Sequence, residues 1–430
     1  MFKIFLKQYK HLIIEGGWVF FGQISVAVIS LIGLRILTEI APANILGGAT
    51  LLLGSLTLLR NIFTGPISTT QIRFHPEYVN KGHAKWFNDK IKELYIKLLG
   101  ISILVFVIFF FVWVHLSSYA FNLLLLIILI LYYTLDAIKS FKINRLSAER
   151  RQKYTAIWQT IDAFLVNVFF IVALLIIKNL ESYLAGQSVG LFIGLLIFGF
   201  ISYPKLENKQ KVKPDYSEIK SKVLRYGLPF IPLALVSWIS NLGDRYIIGN
   251  YMSLNDVGIY TAVYSIASRP FLMVGGILSG FFRPILFQKE SKNDYVNARN
   301  IFKVWVLATS IIFFLGIALY YFVGHLLINL FLAKAYSQNV FLIFIIIGIA
   351  YAVFSLNQII ENRIFSFGSS HKILLPSVVA AIYNIGANFL LIPVLGLEGA
   401  ALATLISFFI QIFITTYILF STAKKKSIKK

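Results

Sequence analysis

Nonpolar residues in this chain come as long runs, such as ISILVFVIFFFVW and FNLLLLIILILYY, broken by short polar segments. A hydrocarbon core of ~30 Å takes about 20 helical residues to cross, so each run predicts a membrane-spanning helix. Twelve follow, at approximately 15–38, 44–66, 94–115, 120–140, 155–177, 183–203, 226–249, 256–282, 302–323, 338–360, 373–393 and 397–420. The expected class is an all-α integral membrane protein.

The polar segments orient the spans. Basic residues crowd into alternate connections, for example Lys81, Lys85, Lys90 and Lys92, then Lys142, Arg145, Arg150 and Arg151, then Arg283, Lys289 and Lys292. The opposite set holds only Lys178 and Lys334. Under the positive-inside rule both termini are cytoplasmic, as an even number of spans requires. The longest inner connection, near mid-chain, is charged and poor in apolar residues. It divides the chain into a six-helix lobe over 1–203, a cytoplasmic linker over 204–225, and a second six-helix lobe with a basic tail over 226–430.

Composition narrows the chemistry. The chain has 430 residues, of which 58% are hydrophobic and 13% charged, with a formal net charge of +22. That positive charge would suit nucleic acid, but its confinement to short clusters between apolar runs assigns it to membrane orientation, so no nucleic-acid partner is expected. With no cysteine and no HExxH spacing, metal sites, disulfides and thiol catalysis have no support, and no cofactor is expected. The apolar segment after the basic N-terminus is too long for a signal peptide and reads as a retained first span.

Sliding one half over the other aligns Gly17 with Gly227, Ser30 with Ser240, Arg35 with Arg245, Gly48 with Gly258, Ser55 with Ser265, Gly65 with Gly275 and Arg73 with Arg283; Arg60 and Arg269 fall one position out of register. The pattern implies a parallel repeat, with substrate expected between the lobes. Four arginines lie within spans. Each costs roughly 2.5–3.5 kcal/mol at a helix centre, so a wet cavity or a partner is expected beside it. Arg60 and Arg269 are deep and are read as cavity cations. Arg35 and Arg245 lie near outer ends, where an interfacial anchor is as good a reading as a cavity rim. Guanidinium forks match phosphate oxygens, so an anionic substrate is implied. Pro270 is expected to kink the eighth span. The in-span acids are Asp136, Asp162 and Asp244: Asp244 partly neutralises Arg245, while Asp136 and Asp162 have Lys139 or Arg145 as pairing partners. Aromatic residues such as Trp18, Trp158, Trp238, Tyr246, Tyr260 and Tyr264 are open to sugar stacking or to packing.

The segment GDRYIIGNYMSLNDVGIYTAVYSIASRP resembles spans seven and eight of Wzx-type polysaccharide (O-antigen repeat unit) flippases of the MOP exporter superfamily, and NIGANFLLIPVLGLEGAALATLISFF is similar to their last two spans. The resemblance implies a MOP/MATE-like pair of lobes in a bacterial inner membrane. It also implies transfer of an undecaprenyl-pyrophosphate-linked oligosaccharide from the cytoplasmic to the periplasmic leaflet, for O-antigen, capsule or other surface polysaccharide, by alternating access. Arg60 and Arg269 would then hold the pyrophosphate, with Arg35 and Arg245 beside them. H+ or Na+ would be the coupling ion, with Asp136, Asp162 and Asp244 as candidates. A polysaccharide polymerase and a chain-length regulator are the expected protein partners. A lipid II flippase and a cation-coupled drug antiporter remain alternatives. No ATP-binding GxxxxGK[ST] occurs, and a membrane-bound polymerase would need a larger outer loop than any here, so an enzyme is not expected.

Overall fold

The computed structural model describes residues 2–117, 122–199 and 216–428, and every regular element among them is helical. In chain order these are α1 (Phe2–Ile40), α2 (Ala43–Phe63), α3 (Gly65–Asn80), α4 (Ala84–Ser117), α5 (Leu123–Ala148), α6 (Gln152–Ile176) and α7 (Leu180–Gly199). After the undescribed stretch come α8 (Tyr216–Lys222), a π-helical turn (Val223–Gly227), α9 (Phe230–Tyr251), α10 (Leu254–Ser291), α11 (Tyr295–Phe331), α12 (Lys334–Ser337), α13 (Phe341–Ser366), a 3-10 turn (Ser370–Ile373) and α14 (Leu374–Ile428). Of the linker expected over 204–225, residues 204–215 lie outside the described residues.

Ten of the described helices are long and apolar enough to cross a membrane, and the α8 and π-turn segment joins α9 at a 40° bend as an eleventh. The twelfth is hidden in α14. There Gly396 leaves helical geometry at φ 59°, ψ −135°, a left-handed conformation that glycine adopts without a Cβ penalty. The chain therefore forms two helices, 374–395 and 397–428. A Cβ on Gly399 would sit 2.4 Å from the Leu391 carbonyl oxygen, so the two halves pack backbone to backbone. The protein is a multi-pass membrane protein, and side chains such as Phe322, 81% exposed, and Val394, 79% exposed, form the apolar exterior that lipid covers.

The chain clusters into two units, residues 1–41 with 51–235 and residues 42–50 with 236–430. In the first, α1 packs on α6, α6 on α7, and α5 on α7, while α3 packs on α4, α5 and the π-turn. The backbones of α6 and α7 approach closely. A Cβ on Gly186 would meet the Phe169 carbonyl at 2.6 Å, one on Gly190 the Val166 Cα at 2.6 Å, and one on Gly194 the Asp162 Oδ1 at 2.9 Å. Small residues four apart make one flat face of α7, as membrane helix pairs require. In the second unit α13 is central, packed on α10, α11 and α14. The first turns of α2 join this unit: a Cβ on Gly47 would lie 1.9 Å from the Leu254 oxygen, and one on Gly258 2.0 Å from the Ala43 oxygen.

Local signals set the ends. Asn122 caps α5 by accepting from the Leu125 amide, Ser253 caps α10 from the Asp256 amide, and Asp294 caps α11 from the Asn297 amide. Left-handed residues follow α3 (Gly82, φ 74°), α5 (Arg150, φ 58°), α10 (Asn293, φ 59°) and α13 (Gly368, φ 74°), the usual way a helix stops. The same device thus recurs at matching places in both halves of the sequence. Helix α10 runs 38 residues, about 57 Å at 1.5 Å per residue, well beyond a hydrocarbon core. Its Pro270 and Pro284 lie inside continuous helix.

Candidate functional site

Helices α2, α5 and α6 assemble a charged chain in the first unit. Arg60 donates to Asp136 and, at 3.3 Å, to the Ser140 hydroxyl. Lys139 reaches Asp136 at 3.3 Å and Asp162 at 3.0 Å. Asp136, Lys139 and Ser140 share one face of α5, because residues three and four apart are helical neighbours. The four charges sum to zero, and α6 contributes Asp162 opposite the space left by Gly194. Asp162 Oδ1 is buried without a hydrogen-bond partner. Arg60, expected as a cation open to substrate, therefore carries its own counter-ion. Of the two pairing partners expected for the acids, Lys139 engages both, whereas Arg145 binds Glu149 at 2.9 Å.

The second unit buries Asp244 and Arg245 of α9, 2% and 3% exposed. Arg245 donates to Asp244 at 2.7 Å and to the Asn241 carbonyl at 2.6 Å. The Tyr260 hydroxyl donates to Asp244 at 2.9 Å. The guanidinium carbon lies 3.9 Å from the Tyr264 ring centre and 5.3 Å from that of Tyr260, a cation–π arrangement. The Tyr264 hydroxyl meets that of Tyr351 at 2.6 Å. This closed cluster differs from the interfacial anchor or cavity rim expected for Arg245: the helix buries the side chain among tyrosines. Arg35, its counterpart in the repeat, is in a different setting. It is 36% exposed and pairs with Glu39 one turn later, leaving Nη1 buried and unpartnered.

Arg269 stands apart from the other three. It lies about 22 Å along α10 from Leu254 at 1.5 Å per residue, half-buried, with Nη1 buried and no hydrogen bond to it. Among the described residues no acid pairs with it. Of the four in-span arginines it is the one without a counter-ion among the described residues.

The aromatic candidates divide by burial. Trp158 is wholly buried and stacks on Phe198 at 4.9 Å, and Tyr260 is likewise wholly buried, so both are packing residues. Trp238 lies half-buried against Tyr246 at 5.0 Å, and Trp18 lies under the Lys153 ammonium at 5.3 Å. Sequence reasoning missed Ser140 and Tyr351, whose partners lie 80 and 87 residues away. It also placed Glu361 one residue beyond a span that α13 in fact carries to Ser366. Outside the spans, Glu77 of α3 accepts from Lys81 at 2.8 Å and from Lys222 of α8 at 2.9 Å. Those two hydrogen bonds hold its carboxyl below the usual glutamate range. Burial lowers His75, which meets the Asn88 side-chain amide at 3.1 Å. No cluster of three or more histidine or acidic side chains suited to a metal occurs among the described residues.

A family model described as polysaccharide biosynthesis protein matches residues 12–290. No curated protein sequence matches the chain. Among solved structures, the lipid II flippase MurJ in an inward closed conformation superposes with a TM-score of 0.70 at 15% identity, covering 94% of this chain and 87% of that one. An inward-facing multidrug resistance MATE family transporter of the MOP superfamily gives 0.68 at 12% identity, with 95% and 96% covered. The MATE transporter VcmN of Vibrio cholerae, crystallised as a point mutant, gives 0.66 at 12% identity, with 98% and 97% covered. At these identities the likeness is one of fold, and it supports the MOP/MATE-like architecture.

Proposed function

Because the chain belongs to the polysaccharide biosynthesis protein family, we propose that it flips undecaprenyl-pyrophosphate-linked oligosaccharide from the cytoplasmic to the periplasmic leaflet of a bacterial inner membrane, with both termini cytoplasmic. The observation that carries the reading to a residue is Arg269: an uncompensated guanidinium inside a span is costly and matches the bidentate geometry of a phosphate. Arg269 binds the pyrophosphate and is exposed alternately to the two sides of the membrane. Arg60, Arg35 and Arg245, each held by an acid, set the local field rather than gripping the substrate. An inside-negative potential favours outward movement of the anionic head by ~2.3 kcal/mol per charge per 100 mV. Surface polysaccharide assembly would supply the partners, a polymerase and a chain-length regulator. The protein breaks no bond and is a transporter rather than an enzyme.

The test is flipping of a fluorescent polyprenyl-pyrophosphate sugar in reconstituted vesicles. Arg269→Ala should lower the rate at least tenfold, which corresponds to raising the barrier by about 1.4 kcal/mol, while expression and folding persist, and Arg269→Lys should recover part of it. Unchanged flipping by Arg269→Ala would remove this residue from the site. Lipid II carries the same pyrophosphate, and faster flipping of lipid II than of other polyprenyl-linked glycans would favour the cell-wall reading instead.

A further inference from the structure

The three acids that the sequence offered for ion coupling are each held by a cation: Asp136 by Arg60 and Lys139, Asp162 by Lys139, and Asp244 by Arg245. Among the described residues Glu361 is held by none. It sits about 8 Å before the end of α13 at 1.5 Å per residue, half-buried within the last apolar turns of that helix. Its Oε1 accepts a hydrogen bond from the Asn357 side-chain amide at 2.8 Å, one turn earlier. From α14, the Gln411 amide makes a longer approach at 3.5 Å and also reaches the Ser377 hydroxyl at 3.4 Å.

Two charged groups near this end of α13 are engaged elsewhere. Arg363, two residues on, donates to Glu290 of α10 at 2.7 Å. Lys372 of the 3-10 turn donates to Thr422 of α14 at 2.8 Å. Among the described residues no charged side chain of α10, α11, α14 or the 3-10 turn acts on Glu361. A second observation points to the same place. Asn357 is wholly buried, and its Oδ1 has no hydrogen-bond partner. Buried polar atoms are rarely left so.

We propose that Glu361, Asn357 and Gln411 form a proton-binding site, and, on the flippase reading above, that Glu361 is the carboxyl coupling transport to a proton gradient. The arrangement serves both protonation states. Ionised, the carboxylate accepts from the Asn357 and Gln411 amides. When a hydronium ion gives up its proton to a carboxylate oxygen and leaves as water, the new O–H donates to Asn357 Oδ1 after the amide turns over, and that satisfies the orphaned oxygen. No counter-ion has to be displaced in either direction, which the paired acids cannot offer. A cavity of about 640 Å³ opens at the end of α13, lined by Glu290, Asn293, Tyr295, Phe365 and Ser366, and Phe365 lies one turn beyond Glu361 on the same helix face. A sodium ion would need several oxygen ligands, whereas the contacts made to Glu361 come from amide nitrogens.

Infrared difference spectra between acid and neutral pH, taken on the full chain in lipid nanodiscs without substrate, test the site directly. Among the carboxylic-acid C=O signals of the 18 acidic side chains, one component should titrate in the wild type, vanish in Glu361→Gln, survive in Glu361→Asp, and shift its midpoint in Asn357→Ala. In vesicles, each unit of pH gradient should displace the leaflet distribution of the fluorescent polyprenyl-pyrophosphate sugar by up to about tenfold if one proton moves per turnover. Glu361→Gln should equilibrate the lipid with no displacement. Persistence of the signal in Glu361→Gln overturns the assignment, as does a spectrum that responds to replacing choline with sodium but not to pH. A titrating signal without flipping would discard the flippase reading and leave the proton site standing; flipping without the signal would do the reverse.

Discussion

Arg60 and Asp136 show how one side chain changes meaning once its partner is found. They are 28% and 15% exposed, and a pair this far from water is costly to break on one side only, because the survivor is left as an uncompensated charge. Arg60→Met and Asp136→Leu should each destabilise the protein by about 3 kcal/mol, and the double replacement by clearly less than the sum, as thermal unfolding in detergent would measure. Glu77 allows a prediction in pH. Hydrogen bonds from Lys81 and Lys222 lower its folded value below the ordinary 4.5, so its contribution is complete above that value and is lost as pH falls through the folded one. With the Glu77 side chain 35% exposed, the contribution is under about 1 kcal/mol. The melting difference between wild type and Glu77→Gln should be constant from pH 8 to about 5 and close below it. The presence of the in-span charges was legible in the sequence, and so were the Asp244–Arg245 and Lys139 pairings, because those partners are close in sequence or share a predicted neighbourhood. The Arg60–Asp136 pair spans 76 residues, and no periodicity reports such a contact.

Helices were legible wherever lipid dictates composition. The apolar runs found a helix for each expected span, yet missed how far several continue: the expected 256–282 is in fact Leu254–Ser291, and 94–115 lies within Ala84–Ser117. Hydropathy registers contact with hydrocarbon, whereas the ladder of backbone hydrogen bonds carries on into the polar region. Packing surfaces were less legible. Gly186, Gly190 and Gly194 recur every four residues in plain view, but only the backbone distances to α6 tell a contact stripe from conformational slack. Gly190→Val should push a side chain into Val166, where a Cβ alone already comes within 2.6 Å of the Cα. That is overpacking against backbone, which can relax only by separating the helices, at a cost of at least 1–3 kcal/mol. Size-exclusion chromatography after graded heating should show the variant lost at a lower temperature, while Val189→Gly, on the 44% exposed side, should change it far less.

Some helices of the two halves of the chain correspond in order and length: α5 and α13 are each 26 residues long, and the long helix 254–291 answers to α2 followed by α3. This correspondence was visible as a few aligned glycines and arginines. The environments of the aligned arginines were not, because sequence alignment does not report side-chain partners: Arg35 is 36% exposed and Arg245 is enclosed by tyrosines. Nor do the packing units follow the halves of the sequence, since residues 42–50 cluster with 236–430 through the bare backbone contact at Gly47 and Gly258. It follows that the gene cannot be cut cleanly in two. A polypeptide starting at 226 lacks the early turns of α2 that cover Gly258, so it should precipitate when produced alone and be rescued by co-producing residues 1–225, with an affinity tag on one fragment recovering the other.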